Sequence, residues 1–352
     1  SIGNHLSNAA RTLGWQVDLC DTDPEALRRT REAIYPGRYG AWDEEIRLLE
    51  NKDAPTDGYD FVFIGTPPDS HMAVALEAME GKPRGILIEK PVCTPDLAAA
   101  QAVWEMAKAK GVKIMVGYDH VVGRANEIAQ SMVPSLIGNV LTLDVEFREY
   151  WGGIFQAHPW LAGPQDTYLG FWKRGGGACG EHSHAANLWQ DWAHFLGQKR
   201  VVEVNADLTY VSDGTIDYDS LCVMTLKTET GFMGRVVQDV ITRPPRKWAR
   251  VQGDKGAVEW HCGFKPGADG VTWETIDGDV GERAITKTRP QDFIKELRHF
   301  EDIMEGRCDV SPISIERGLD TMLVIAAAHK SAAQGRTIKI DYSQGYTLDA
   351  LK

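Results

Sequence analysis

The sequence predicts an α/β Rossmann-type dinucleotide-binding domain with a parallel sheet, joined to an α+β domain built on a large, mostly antiparallel, open-faced sheet. Three observations carry this. Over the first 117 residues, short runs apolar on both faces alternate with helical stretches, as expected of parallel strands covered on both sides. From about residue 141 the pattern switches to strict apolar–polar alternation, the mark of a sheet with one wet face. A length of 352 residues, at roughly 150 per domain, leaves room for two. The division is placed at Gly117, giving 1–117 and 118–352, with the C-terminal segment expected to pack back on the first domain.

In chain order, Leu6, Ala9, Ala10 and Leu13 mark a helix stopped by Gly14. Residues 15–20 read as a strand, and a charged helix starts at Pro24. A strand over 59–64 ends at Gly65-Thr66-Pro67-Pro68, and a helix begins near Ser70. Strands over 85–88 and 113–117 flank a helix over 96–110. In the second half, 141–147 and 202–210 alternate strictly, and further strands are expected near 220–228, 232–240, 248–252 and 257–260. Helices are expected over 178–196, 290–305 and 315–334, with a last strand at 337–340. The Gly- and Pro-rich stretch 151–173 reads as a long loop, the kind of segment that borders a substrate.

Composition narrows the function. Hydrophobic residues at 43% and charged residues at 25% exclude an intrinsically disordered chain. No run approaches the roughly 18 apolar residues of a membrane-spanning helix. A net charge of −12 repels phosphate backbones and anionic lipid, which argues against nucleic-acid and membrane-surface partners and for an enzyme of small molecules. The six cysteines form no CxxC pair and read as small buried hydrophobes in a reducing compartment, so a cytoplasmic location is expected. A signal segment upstream of Ser1 stays open.

The N-terminus carries the end of a nucleotide-binding pattern. Ser1-Ile2-Gly3 fits the last three positions of G-x-G-x-x-G, and Asp21 follows 18 residues after Gly3 at the end of a strand. The first strand and first two glycines are then expected upstream of Ser1. Ser1, Ile2 and Gly3 are expected near the pyrophosphate, and Asp21 on the adenosine ribose. A carboxylate there favours NAD over NADP by repelling a 2′-phosphate. Gly65-Thr66-Pro67-Pro68-Asp69-Ser70-His71 and Glu89-Lys90-Pro91 both follow strands, where open α/β sheets place ligands. Thr66, Pro67, His71, Glu89 and Lys90 are therefore expected at the cofactor.

The ordered set Ser-Ile-Gly, Asp-Thr-Asp-Pro, Gly-Thr-Pro-Pro-x-x-His, Glu-Lys-Pro and Val116-Gly117-Tyr118 resembles the Gfo/Idh/MocA family, the glucose–fructose oxidoreductase and inositol dehydrogenase group. The likeness continues through Ile137-Gly138, Gly175-Gly176-Gly177, the glycines of 253–256, Gly306, Gly318 and His329, covering nearly the whole chain. It implies an NAD(P)-dependent dehydrogenase of sugars, sugar derivatives or cyclitols, working as a homodimer or homotetramer. It also implies an active-site role for Lys90. The family's second catalytic element follows the glycine run, usually as an Asp and a His four residues on. This chain has Glu181-His182-Ser183-His184 and then Asn187. Relatives with Asp-x-Ser-His point to Glu181 and His184, with His182 as the other candidate.

Helical spacing favours the same pair, because residues three apart share a face. A histidine titrating near 6.5 suits a base at neutral pH, so His184 is expected to take the hydroxyl proton. Lys90 is expected to orient the hydroxyl, and Glu181 to stabilise the imidazolium. Tyr118, Asp119, Arg148, Trp172, Lys173, His182 and Asn187 are the expected substrate contacts, among further polar and aromatic residues that include His120, Tyr168 and Arg174. No metal is expected, since the His–carboxylate pair lacks an evident third ligand. Two alternatives stay open at this point: NAD-assisted glycoside cleavage, and a silent ligand-sensing relative.

Overall fold

A computed structural model describes residues 2–352. The α/β part runs α1 (Ile2–Thr12), β1 (Val17–Asp21), α2 (Pro24–Arg29), a π-helical turn (Thr30–Ile34), α3 (Tyr35–Tyr39) and β2 (Ile46–Glu50). It continues with β3 (Phe61–Ile64), α4 (Pro68–Glu80), β4 (Gly85–Ile88), α5 (Ala100–Lys110) and β5 (Lys113–Val116). All pairings here are parallel, as expected, but they form two ladders, β1–β2 and β3–β4–β5, rather than one continuous sheet. Trp15 bridges them, its ring centroid 5.2 Å from Phe61 and 6.2 Å from Phe63. Strand β2 escaped sequence reading because Ile-Arg-Leu-Leu-Glu neither alternates cleanly nor forms an unbroken apolar run.

The second part contains α6 (Arg124–Leu136), β6 (Val140–Arg148), α7 (Gly152–Ala157), α8 (Gly177–Glu181) and α9 (Ser183–Phe195). Then come β7 (Val201–Ser212), β8 (Asp217–Thr228), β9 (Met233–Asp239), β10 (Arg246–Gly253), β11 (Gly256–Lys265), β12 (Ala268–Thr275) and β13 (Val280–Thr286). Helices α10 (Arg289–Met304) and α11 (Ile315–Gln334) and strand β14 (Ile338–Lys339) complete it. The strands form one sheet in the order β13-β12-β11-β10-β6-β9-β8-β7-β14, antiparallel except for β6 beside β9. Helices α6, α9 and α11 cover one face. The other is open, with Val223 40% and Met233 50% exposed on it. The expected loop 151–173 instead holds α7 and three short 3-10 turns.

The C-terminal helices return to the first domain. Phe300 of α10 is fully buried and meets Phe61 and Phe63 edge-on at 5.1 and 5.5 Å. The Val116 amide donates to the Ile313 carbonyl at 2.8 Å. Gly318 of α11 sits so close to β5 that a Cβ would fall 2.5 Å from Val116. Among the described residues no helix is long and apolar enough to cross a membrane.

Candidate active site

The glycine run shapes the site. Gly175 and Gly177 both hold left-handed backbone, at φ +89° and +72°, which L side chains rarely adopt. A Cβ on Gly175 would sit 2.7 Å from Pro68, and one on Gly177 2.0 Å from Asp219 Oδ1. The turn thus brings α8 against the start of α4 in the α/β domain, and an exposed Arg174–Asp69 ion pair at 2.6 Å runs alongside. Helix α8 ends at Glu181, His182 breaks it with φ −101° and ψ 26°, and α9 starts at Ser183.

That break corrects the pairing drawn from helical spacing. Glu181 and His184 lie on different helices, so the three-residue rule does not join them. Glu181 instead holds Lys90: the ammonium Nζ donates to the Glu181 carbonyl at 2.8 Å and to its carboxylate at 3.1 Å, both side chains less than one-fifth exposed. The carboxylate beside His184 is Asp119, at 3.9 Å from His184 Nδ1 and 4.0 Å from His120 Nε2. The His120 and His184 rings are 4.7 Å apart, Phe147 stacks on His184 at 6.1 Å, and Tyr118 meets its edge at 5.5 Å. Burial, then His120 and Lys90, hold the His184 imidazole well below its ordinary value. His120 is likewise held down, to about 4, mainly by burial. Burial would raise Asp119, but His120, Arg289, Lys287 and Lys90 together keep it below the usual carboxylate range.

Asp119, His120 and His184 place ligand-capable atoms within 4.8 Å of one another. This group does not include Glu181; it forms because the turn after β5 brings Asp119 and His120 to α9.

Other expected site residues fare differently. Ile2 and Gly3 open α1; Gly3 packs against Leu19 of β1, and Ile2 lies over Gly65. Ser1 lies outside the described residues. Asp21 is exposed at the end of β1, its Oδ1 accepting from the Asp23 amide at 2.9 Å. Thr66 and Pro67 are exposed at the end of β3. These residues gather at the C-terminal edge of parallel strands, the position and donor set that suit a dinucleotide.

Several expected contacts are structural instead. His71 is fully buried, one ring nitrogen against the Thr66 carbonyl at 2.7 Å and the other against the Pro91 carbonyl at 3.1 Å, so it braces two loops and is not presented to a cofactor. Glu89 is buried against Gly117, and burial first of all pushes its carboxyl up to about 7. Tyr118 and Asn187 are sealed in the core, Asn187 donating to Thr321 at 3.2 Å. Arg148 is committed to the fully buried Asp239 at 2.6 Å. Trp172 stacks on His329 at 4.4 Å, with exposed Lys173 over it. His182 is 3% exposed, its carbonyl accepting from Gln238. Spacing could not show these commitments, since each partner lies tens of residues away. An open cleft of about 430 Å³ over β11–β13 lies apart from this cluster.

Residues 6–118 match the family model described as "Oxidoreductase family, NAD-binding Rossmann fold", Gfo/Idh/MocA. Over that segment, the α/β part, the chain matches the family's nucleotide-binding domain. The matched segment is thus an NAD-binding Rossmann fold of the oxidoreductase type. No curated protein matches it. Among solved structures, levoglucosan dehydrogenase with NADH and levoglucosan is similar at 20% identity, covering 96% of this chain and 95% of that one, TM-score 0.74. An oxidoreductase from Agrobacterium radiobacter, in complex with NAD+, L-tartaric acid and magnesium, is similar at 20% identity over 96% and 95%, TM-score 0.73. Aldose-aldose oxidoreductase from Caulobacter crescentus, complexed with glycerol, is similar at 23% identity over 92% and 91%, TM-score 0.71. At these identities the likeness is one of fold, and it spans both halves of the chain.

Proposed function

We propose that this chain oxidises a secondary alcohol of a sugar, sugar derivative or cyclitol, or reduces the matching ketone, with His184 exchanging the hydroxyl proton. The observation that carries the reading is the Lys90–Glu181 contact beside the Asp119, His120 and His184 cluster, near enough for the Lys90 charge to act on both His184 and Asp119. NAD, when bound, supplies the hydride acceptor. Ile2, Gly3, Asp21, Thr66 and Pro67 would hold it, and the Asp21 carboxylate favours NAD over NADP. Lys90, fixed by two contacts to Glu181, orients the substrate hydroxyl and stabilises the developing carbonyl oxygen. His184 is neutral at pH 7 because burial disfavours its charged form, so it is ready to accept a proton. Asp119, rather than Glu181, stabilises the imidazolium that results. Phe147 and the neighbouring rings limit water around the transfer.

The test uses a panel of cyclitols, aldoses and sugar nucleotides with NAD and NADP in parallel. On any substrate it returns, His184→Ala should lower kcat by about 10²–10⁴-fold with little change in NAD affinity. The acid limb of the pH profile should lie below 6.5, because the basic form persists below the ordinary histidine value. Unchanged turnover in His184→Ala removes it from the mechanism.

The convergence of Asp119, His120 and His184 favours a second reading, in which these three hold a divalent metal that polarises the hydroxyl. Activity lost on chelation and restored by metal would select it. Homodimer or homotetramer assembly through the open sheet face, and a cytoplasmic location, complete the proposal; light scattering in solution tests the assembly.

A further inference from the structure

A second cluster lies on the far side of α8, independent of the reading above. Cys179 of α8, Asp219 of β8 and His329 of α11 bring ligand-capable atoms within 4.8 Å of one another, and all three residues are buried. Asp219 is completely enclosed; its Oδ2 accepts from the Cys179 amide at 2.7 Å, while its Oδ1 has no hydrogen-bond partner. His329 shows the same division, Nδ1 on the Tyr210 hydroxyl at 2.7 Å and Nε2 without a partner. Its ring is fixed by Trp172, stacked 4.4 Å away at 19°. The Cys222 thiol, also fully buried, neighbours that of Cys179.

Two buried polar atoms without partners, converging beside the same thiol, call for an explanation. One atom held by the protein and another left over is how metal ligands are oriented by the groups behind them. A thiol, an imidazole and a carboxylate match the preference of zinc, a borderline-soft ion bound by such ligands. Gly177 is part of the design, since any side chain there would collide with Asp219 Oδ1.

We propose that Cys179, Asp219 and His329 form a structural site for a zinc-class divalent ion. The ion ties α8 to β8 and α11, and so fixes the segment that carries Glu181, the partner of Lys90. No redox change is involved; binding releases the Cys179 thiol proton to solvent.

The test is reconstitution of the full chain. After chelation and dialysis, the protein is titrated with Co²⁺ as the spectroscopic stand-in for zinc. Thiolate-to-cobalt charge-transfer absorption that saturates at one equivalent is expected. Zn²⁺ should abolish it and raise the thermal midpoint. The band should persist in His184→Ala, which removes the other candidate cluster, and vanish in Cys179→Ser. Tyr210→Phe should weaken zinc binding by about 10- to 100-fold, as loss of an orienting group behind a ligand does. Absence of the charge-transfer band in the unmodified protein overturns the proposal without recourse to any variant. So does a band that is retained in Cys179→Ser or lost in His184→Ala.

Discussion

Gly177→Ala tests the link between the glycine run and the active site. At φ +72° an alanine costs roughly 1–2 kcal/mol in backbone conformation alone. Its Cβ would fall 2.0 Å from Asp219 Oδ1 and 3.0 Å from the Asp219 amide nitrogen, so the carboxyl must swing away. That breaks the 2.7 Å bond from the Cys179 amide, and a buried group left unpaired costs about 1–3 kcal/mol more. The two effects give roughly 2–5 kcal/mol. For a chain of 352 residues, unfolding entropy is about 0.7 kcal/mol per kelvin, so the thermal midpoint should fall by about 3–7 °C. Calorimetry in chelating buffer measures it. Gly153→Ala is the control, because nothing lies within 4 Å of its added methyl. A Gly177→Ala protein melting with the parent would refute the claim that this glycine is required by Asp219 and the turn.

Two further predictions concern packing and pH. Phe300→Ala, which empties the contact of α10 with Phe61 and Phe63, should cost about 3–5 kcal/mol in denaturant unfolding; a loss below about 1 kcal/mol would mean that α10 docks weakly. Burial raises Asp191 from 3.8 to about 6, against hydrogen bonds from Asn126 and Gln130. A carboxyl raised in the folded state gives full stability below its unfolded value and loses it as pH climbs to the folded one. Asp191→Asn should therefore gain on the parent between about pH 4 and pH 6, by roughly 3 kcal/mol, and then level off. A difference that stays flat across that window would show that Asp191 titrates normally.

Much of this protein was legible in local pattern. The switch from runs apolar on both faces to strict alternation separated the parallel ladders from the nine-stranded sheet, and α11 matches its sequence bounds at both ends. Amphipathic period and turn residues are properties of neighbouring positions, so they survive without tertiary information. Strands β12 and β13 and helix α6 carry no such local mark. Short charged strands read as loops, and Pro134 inside α6 counts against a helix.

The ordered motifs likewise singled out Lys90, Glu181 and His184 as candidates, because they follow a strand and a glycine turn. Sequence could not assign their partners. His182 interrupts what spacing made one helix, and a break of one residue redirects every side chain beyond it. Glu181 therefore meets Lys90, 91 positions away, while His184 faces Asp119 and His120. The commitment of Arg148 to Asp239, the burial of His71 and Tyr118, and the convergence of Cys179, Asp219 and His329 were decided the same way. Local sequence determined which residues stand at the ends of strands and helices. Which of them share a space depends on long-range packing, and only the folded chain supplies that.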